Sequence, residues 1–406
     1  MAIELRPVRR EELGEYLLAG AMAFGWERPT AEHLDRAASG VELDRTTACV
    51  DRGRIVGTTG AHSFRMATPG GDVPTAGVTF VSVLPTHRRR GLLRRMMLAQ
   101  LEDLHARGEP VAALWASEGG IYGRFGYAIA AFDHLVEIDV QKGAFVRAPW
   151  WNGRVDFSDR ARADDFSDVY ERARARRPGM MDRGSGAWSR LLEPIGSPAS
   201  EHRFVASYVD VGRIDGYVVY STTSEWKDTR LPNGTVRIQE LVGATPDAEA
   251  ALWHHCLDRD LVTRLRAEIR PVDDPIRHLL ANPHQATVTA CAPNLWLRLV
   301  DVKSALQART YAAQDRITID LTDALCPWNS GRWSLEGGPD GGGVRRGRRR
   351  PDLAMDVAAL AAVFLGGVGF TELADAGLVR EGTPGALTRA GAMFASPRAP
   401  WCPQIF

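Results

Sequence analysis

The chain has 406 residues, 45% hydrophobic and 25% charged, with 50 Lys and Arg against 50 Asp and Glu. At roughly 100–200 residues per domain this predicts two to four globular domains and excludes disorder or fibre as the main state. Zero net charge argues against a dedicated nucleic-acid binder, and no apolar run reaches the roughly 18 residues of a membrane-spanning helix. Met1 to Pro7 alternates apolar and polar residues and carries no signal-peptide core. The cysteines Cys49, Cys256, Cys291, Cys326 and Cys402 are scattered without paired spacing. That pattern is neither a disulfide framework nor a zinc site, and it fits a reducing cytoplasm.

In chain order, Glu11 to Phe24 has Leu13, Tyr16, Leu17, Ala21 and Phe24 at helical spacing. Thr47 to Val50 and Arg54 to Met66 are predicted strands joined by a turn at Asp51-Arg52-Gly53. Gly77 to Leu84 is the next strand. A helix is predicted from Gly91 to Arg107, with Gly108 at its C-terminal cap. Val111 to Trp115 is a short buried strand, and strand, helix, strand means an α/β arrangement with a crossover. A second block, 143–293, opens on Pro149, Trp150 and Trp151. A basic helix carrying Arg172, Arg174, Arg176 and Arg177 follows, stopped by Pro178. Strands are predicted at Arg203 to Tyr208, Gly216 to Tyr220 and Thr235 to Val242, then a helix capped by Thr245 with Pro246 first. This repeats the order of the first block, 1–142, so the second block reads as a divergent copy. In the third block, 294–406, strands are expected at Leu295 to Val302, Ile317 to Leu321 and Arg332 to Leu335. Gly337 to Gly343 reads as a flexible turn, and Pro400 to Phe406 as a stiff apolar end.

The most informative segment is Phe80-Val81-Ser82-Val83-Leu84-Pro85-Thr86-His87-Arg88-Arg89-Arg90-Gly91-Leu92-Leu93. Three arginines stand before a helix N-terminus, where the helix dipole disfavours cations. An anion resolves that conflict: unpaired N–H groups and guanidinium donors would both bind phosphate oxygens. The other reading is a solvated basic turn. The segment resembles the pyrophosphate loop of GCN5-related N-acetyltransferases, Arg/Gln-x-x-Gly-x-Gly/Ala, matched at Arg88 and Gly91 and departing at Leu93. The resemblance implies acetyl-CoA, its pyrophosphate on the amides around Arg89 to Leu93, Gly91 and Leu92 among them, and its pantetheine arm paired with the backbone of Val81 and Val83.

Ser117-Glu118-Gly119-Gly120-Ile121-Tyr122-Gly123-Arg124-Phe125-Gly126-Tyr127 is a glycine-rich loop around two tyrosines. With the arginine loop it closely resembles the enhanced intracellular survival (Eis) acetyltransferase family. Asp215-Gly216-Tyr217, Glu240-Leu241 and Leu295-Trp296-Leu297-Arg298 are similar to later segments of that family. The resemblance implies an α/β (α+β) chain of tandem acetyltransferase folds, the second degenerate, then a domain similar to sterol carrier proteins. It also implies a hexamer. Tyr122 matches the family's general acid, and the α-carboxylate of Phe406 its general base. Phe24, Trp26, Glu27 and Phe80 are the candidates for the acceptor pocket. Where the family often has a penultimate acid, this chain has Ile405.

The chemistry agrees in outline. A phenol with pKa about 10 keeps its proton at neutral pH and can protonate a leaving thiolate. An α-carboxylate near pKa 3.5 is a weak base for an ammonium near 10. Burial between Trp401 and Phe406, or a water relay, would close that gap. Tyr127 competes with Tyr122 and reads as structural. Glu118 is an alternative base. His87 reads as solvated, and His254-His255 as surface or core, with no carboxylate or cysteine completing a metal site. The Arg345 to Arg350 cluster reads as a solvated hairpin. The second block lacks a basic glycine loop before its helix, so no second acetyl-CoA site is expected. The reading is an acetyl-CoA-dependent N-acetyltransferase without a metal, acting on aminoglycosides, polyamines or lysine side chains. No nucleic-acid or membrane partner is expected. Its rivals are an acyltransferase for another amine or acyl group, and a lipid-binding scaffold with a vestigial transferase.

Overall fold

The computed structural model describes residues 3–158, 163–192 and 203–406. They fall into two compact units, one of Met1–Ala130, Leu295–Ser396 and Ile405–Phe406, the other of Ala131–Asn294 and Pro397–Gln404.

In the first unit, β1 (Glu4–Pro7), β2 (Thr46–Asp51), β3 (Arg54–Thr68), β4 (Gly71–Val83) and β5 (Val111–Leu114) lie side by side in that order. The strand Trp296–Leu299 pairs with β5 on one side and with Ala128–Ile129 on the other, completing seven strands. Helix α1 (Leu13–Phe24) buries Tyr16 and Ala19 against Val8, Ala48, Val50 and Ile55 on one face of the sheet. Helix α2 (Ala31–Ser39) follows α1. Helix α3 (Leu92–Ala106) buries Leu92, Met96, Met97, Leu101 and Leu104. It ends before Gly108, whose φ of +74° suits the left-handed residue that closes a helix.

The strand predicted from Gly77 begins instead at Gly71, because β3 and β4 form one long hairpin whose last pair is Thr68 with Gly71. Pro74 precedes the β5 pairing, which starts at Thr75, so no ladder on that side asks for its missing N–H. A bulge interrupts β3 and β4 between Thr58–Ser82 and Gly60–Thr79, and Phe80 there has φ +55°. The extra residue shifts the alternation of β4 by one. Ala76 and Val78 pack with Met97 and Leu101 of α3, and Val81 and Val83 return to the same helix. Phe80 is sent to the other face, edge-on to Tyr16 at 5.7 Å.

The remaining sheet of this unit runs Gly341–Arg346, Gly331–Gly338, Asp315–Thr322, Leu353–Asp356, Val379–Glu381. The expected flexible turn from Gly337 to Gly343 is mostly strand, with Gly338 facing Gly341 across Pro339 and Asp340. Its glycines make room: a side-chain carbon on Gly342 would lie 2.7 Å from the Tyr311 ring, and one on Gly337 would also strike it. Arg346 is exposed, as expected of a solvated hairpin, and still finds partners. Its guanidinium lies 3.9 Å over the Trp333 ring and donates to the carbonyls of Trp328 and Ser330.

The second unit has a seven-stranded sheet in the order Thr287–Pro293, Phe132–Asp139, Val262–Pro271, Gly234–Gly243, Arg213–Thr222, Arg203–Asp210, Arg154–Ser158. Phe132–Asp139 and Val262–Pro271 were not anticipated. Charged residues interrupt both, which masks the two-residue period. The basic helix ends at Arg174, before Arg176 and Arg177. Thr245 caps the helix Pro246–Leu257, its hydroxyl accepting from the N–H of Ala248 at 3.2 Å. In each unit one strand, one helix and a second, parallel strand follow in sequence: β4, α3 and β5 in the first, and Gly234–Gly243, Pro246–Leu257 and Val262–Pro271 in the second. No helix among the described residues is long and apolar enough to cross a membrane.

Candidate active site

β4 and β5 pair only from Thr75–Val111 to Gly77–Ala113. Beyond Gly77, β4 keeps β3 as its neighbour while β5 stays with Trp296–Leu299. The two strands therefore part, and among the described residues the β4 backbone at Val81 and Val83 has one edge without a strand partner. Their side chains are anchored beneath α3, so that edge is held rigidly.

At the end of β4 the chain passes through Pro85–His87 to α3. Arg89 and Gly91 both adopt left-handed backbone, φ +61° and +76°. Nothing lies within 4 Å of a carbon added to Gly91, so its conformation, not space, asks for glycine. Left-handed residues ahead of a helix N-terminus turn successive N–H groups into an anion-binding concavity. Arg88 reaches back to donate to the Ala23 carbonyl in the last turn of α1 at 3.0 Å, a favourable place for a cation. Arg89 and Arg90 are exposed. His87, expected to be solvated, instead contacts the Asp51 carboxylate at 3.1 Å. That hydrogen bond holds the Asp51 carboxyl below its usual range. Leu93, the departure from the loop pattern, packs with the cluster under α3.

The segment expected as an open loop is two short helical turns, Gly119–Tyr122 and Gly123–Phe125. Among its glycines Gly126 is the constrained one, at φ +81°, where a side-chain carbon would lie 2.8 Å from Nε of Arg298. Tyr122 is 9% exposed and shares a cluster with Val78 and Leu114, the residues just past the parting of β4 and β5. Burial, and next the charge of Glu118, push its phenol up to about 12. Tyr127 stands edge-on to it at 6.0 Å, is 1% exposed, and is shifted upward by burial as well. Tyr122 is thus the less enclosed of the pair.

Phe406 is half-buried. Within the first unit it meets Phe64, at 5.1 Å between centroids, and the bare backbone of Gly77, while Trp401 belongs to the core of the second unit. An aromatic row continues from Phe64 to His62 at 5.8 Å, Phe80 at 5.9 Å and Tyr16 at 5.7 Å. Sequence reasoning missed His62, Phe64 and Gly77. Their signal was the alternation of β3, which puts His62 and Phe64 on one face, and a glycine inside a strand, which marks close approach. Phe24 and Trp26 stack on each other at 4.8 Å beyond the end of α1, both exposed, with Glu27 exposed beside them. They take no part in the aromatic row among the described residues. Glu118 is exposed. No group of three or more His, Cys, Asp or Glu among the described residues is arranged to hold a metal ion.

Residues 4–130 and 179–299 each match the family model of an acetyltransferase (GNAT) domain, and 302–403 that of a sterol carrier protein domain. An uncharacterized N-acetyltransferase of Streptomyces avermitilis is 40% identical over the whole of both chains. N-acetyltransferase Eis of Mycobacterium bovis is 35% identical over 84% of this chain and 83% of its own. The crystal structure of Eis1 from Mycobacterium abscessus superposes with a TM-score of 0.88 at 34% identity, covering 99% of this chain and 100% of that one.

Proposed function

The chain belongs to the Eis family of N-acetyltransferases, and from that premise we propose that it carries acetyl from acetyl-CoA to primary amines of cationic acceptors. Aminoglycosides, at more than one position, polyamines and lysine side chains are the acceptor class. The observation that carries the reading is the parted edge of β4, which runs into a left-handed loop at the head of α3.

Acetyl-CoA supplies the activated thioester. The N–H groups from Arg89 to Leu92 hold its pyrophosphate, with Arg88 and Arg89 close by. The backbone of Val81 and Val83 pairs with its pantetheine amides. Tyr122 stays protonated at about 12 and donates to the leaving sulfur. A thiol near 8.5 in water is a poor match for such an acid, but burial raises the thiol as well, which narrows the gap. The Phe406 carboxylate holds the ammonium and takes its proton. Phe80, with Phe24, Trp26 and Glu27, faces the acceptor. The same resemblance supports a homohexamer, which light scattering on the purified chain would measure.

The test is thiol release from acetyl-CoA by protein with an untagged C-terminus, offered aminoglycosides, polyamines and a lysine peptide. Release with several amines is expected. Acetyl-CoA binding without release to any amine would move the search to other acceptors or acyl donors. Failure to bind acetyl-CoA would favour a vestigial transferase.

A further inference from the structure

Pro397–Gln404 has no regular secondary structure, yet Trp401, Cys402 and Gln404 are 4%, 0% and 5% exposed. Backbone groups buried outside a ladder need partners, and side chains of the second unit supply them. Asn294 accepts from the N–H of Cys402 at 3.0 Å and donates to its carbonyl at 3.1 Å. Asp133 fixes the orientation of that amide by accepting from it at 2.9 Å. Burial raises the Asp133 carboxyl, and the Asn294 bond works against the shift. Asp273 and Arg177 take the N–H and the carbonyl of Ala399 in the same reciprocal way. The indole of Trp401 donates to the Ile269 carbonyl at 2.7 Å.

The last anchor is Arg183. Its side chain is 3% exposed and lies over the rings of Tyr170 and Trp188 at 4.1 and 4.6 Å. Two bonds of 2.7 Å join it to Glu240, which also accepts from the Tyr217 hydroxyl. Its remaining Nε–H donates to Oε1 of Gln404 at 3.2 Å. Tyr217 and Glu240 belong to two of the sequence segments that carry the family resemblance and have no part in the acetyl-CoA site. Here they build a rigid socket for one glutamine. Only Ile405 separates Gln404 from Phe406, so holding Gln404 leaves the terminal carboxylate a range of about 7 Å.

We propose that the second acetyltransferase-like unit is a clamp for the C-terminal segment, with Arg183 and Asn294 as positioning residues for the Phe406 carboxylate. The inference rests on the reading of that carboxylate as the base. Misplacement of a reacting group by about 1 Å can cost a hundredfold in rate.

The test uses the full, untagged chain with acetyl-CoA and neomycin. Gln404→Met keeps the volume and removes the acceptor for Arg183, while Asn294→Ala removes both bonds to Cys402. Each is expected to lower kcat by about ten- to a hundredfold, with KM for acetyl-CoA within about twofold and faster release of Phe406 by carboxypeptidase. Gln404→Glu, which keeps an acceptor, should retain kcat within a few-fold. If Asn294→Ala does not fold, the two Gln404 variants carry the measurement. Unchanged release overturns the clamp, and faster release with unchanged kcat overturns the positioning role. The base is scored separately by adding one glycine after Phe406. Full activity there sinks the base reading. Loss there, with the clamp variants fully active, keeps the base and overturns the positioning role.

Discussion

A side-chain carbon on Gly77 would lie 3.1 Å from Cδ2 of Phe406 and inside contact distance of Phe64. The last residue of the chain is therefore docked on the one bare position of β4 at which its pairing with β5 ends. On the neighbouring residue, Val78, the opposite face of the strand carries the cluster that includes Tyr122.

Gly77→Ala tests that docking. The added carbon must push Phe64 or Phe406 aside, which for overpacking costs about 1–3 kcal/mol. The fold should survive, and kcat should fall more than KM for acetyl-CoA rises. Wild-type kcat in a folded Gly77→Ala protein would remove the terminal ring from the site.

Tyr122→Phe keeps the packing and removes the proton. The expected loss in kcat is about 10²–10⁴-fold with little change in melting temperature. With its phenol at about 12, Tyr122 stays protonated well above neutrality. The kcat–pH profile should therefore show no descending limb from this group up to about pH 10. Tyr127→Phe is the control, and an equal loss there would exchange the two roles.

Gly91→Ala should raise KM for acetyl-CoA while leaving acceptor KM nearly unchanged. Its φ of +76° costs an L-residue about 1–2 kcal/mol, and relaxation of the loop would turn the N–H groups of the concavity away. Titration calorimetry with coenzyme A reads the effect without turnover.

Arg298 and Asp323 form an ion pair at 2.7 and 2.8 Å with side chains 0% and 2% exposed. Asp323 also accepts from Asn329 and from the N–H groups of Leu325 and Cys326. Arg298→Ala leaves a buried carboxylate without its cation and should destabilise the first unit by about 3–5 kcal/mol. Replacing both partners by apolar residues of similar volume should recover most of that in a denaturant titration.

Burial lowers His255 to about 4, the charge of Arg259 adding to the effect, and its Nε2 lies 3.1 Å from the Tyr220 hydroxyl. Its folded value lies below the unfolded value near 6.5. The unfolded chain therefore takes up the proton first, and stability falls as pH drops from about 6.5 to 4. His255→Gln should flatten the melting-temperature slope in that window. An unchanged slope would assign the acid sensitivity to other groups.

Much of this was legible in the chain. α3 spans Leu92–Ala106 where Gly91 to Arg107 was predicted, because six buried positions recur at helical spacing and Gly108 closes it. Thr245 and Pro246 marked the start of a helix by local chemistry alone. The left-handed turn at the head of α3 was marked by Gly91, which adopts φ +76°. His87 could not be read, because its partner Asp51 is 36 residues earlier. Gly337 to Gly343 was misread because glycine signals both flexibility and close packing, and only the Tyr311 ring tells them apart.

What the sequence determined by itself was local: helix and strand periods, caps, the loop at the head of α3, and the likeness of its motifs to a transferase family. What tertiary structure decided was which distant residues share a surface. The bulge at Phe80 turned that ring from the α3 face to the row of His62 and Phe64. The strand Trp296–Leu299 completed a sheet begun nearly three hundred residues earlier. Asn294 and Arg183 gained a role in holding residues 402 and 404. Periodicity reports which face of an element is apolar, since it follows from the 3.6- and 2-residue repeats of the backbone. It carries no information on which other element covers that face, because hydrophobic burial is non-directional and many partners satisfy it equally.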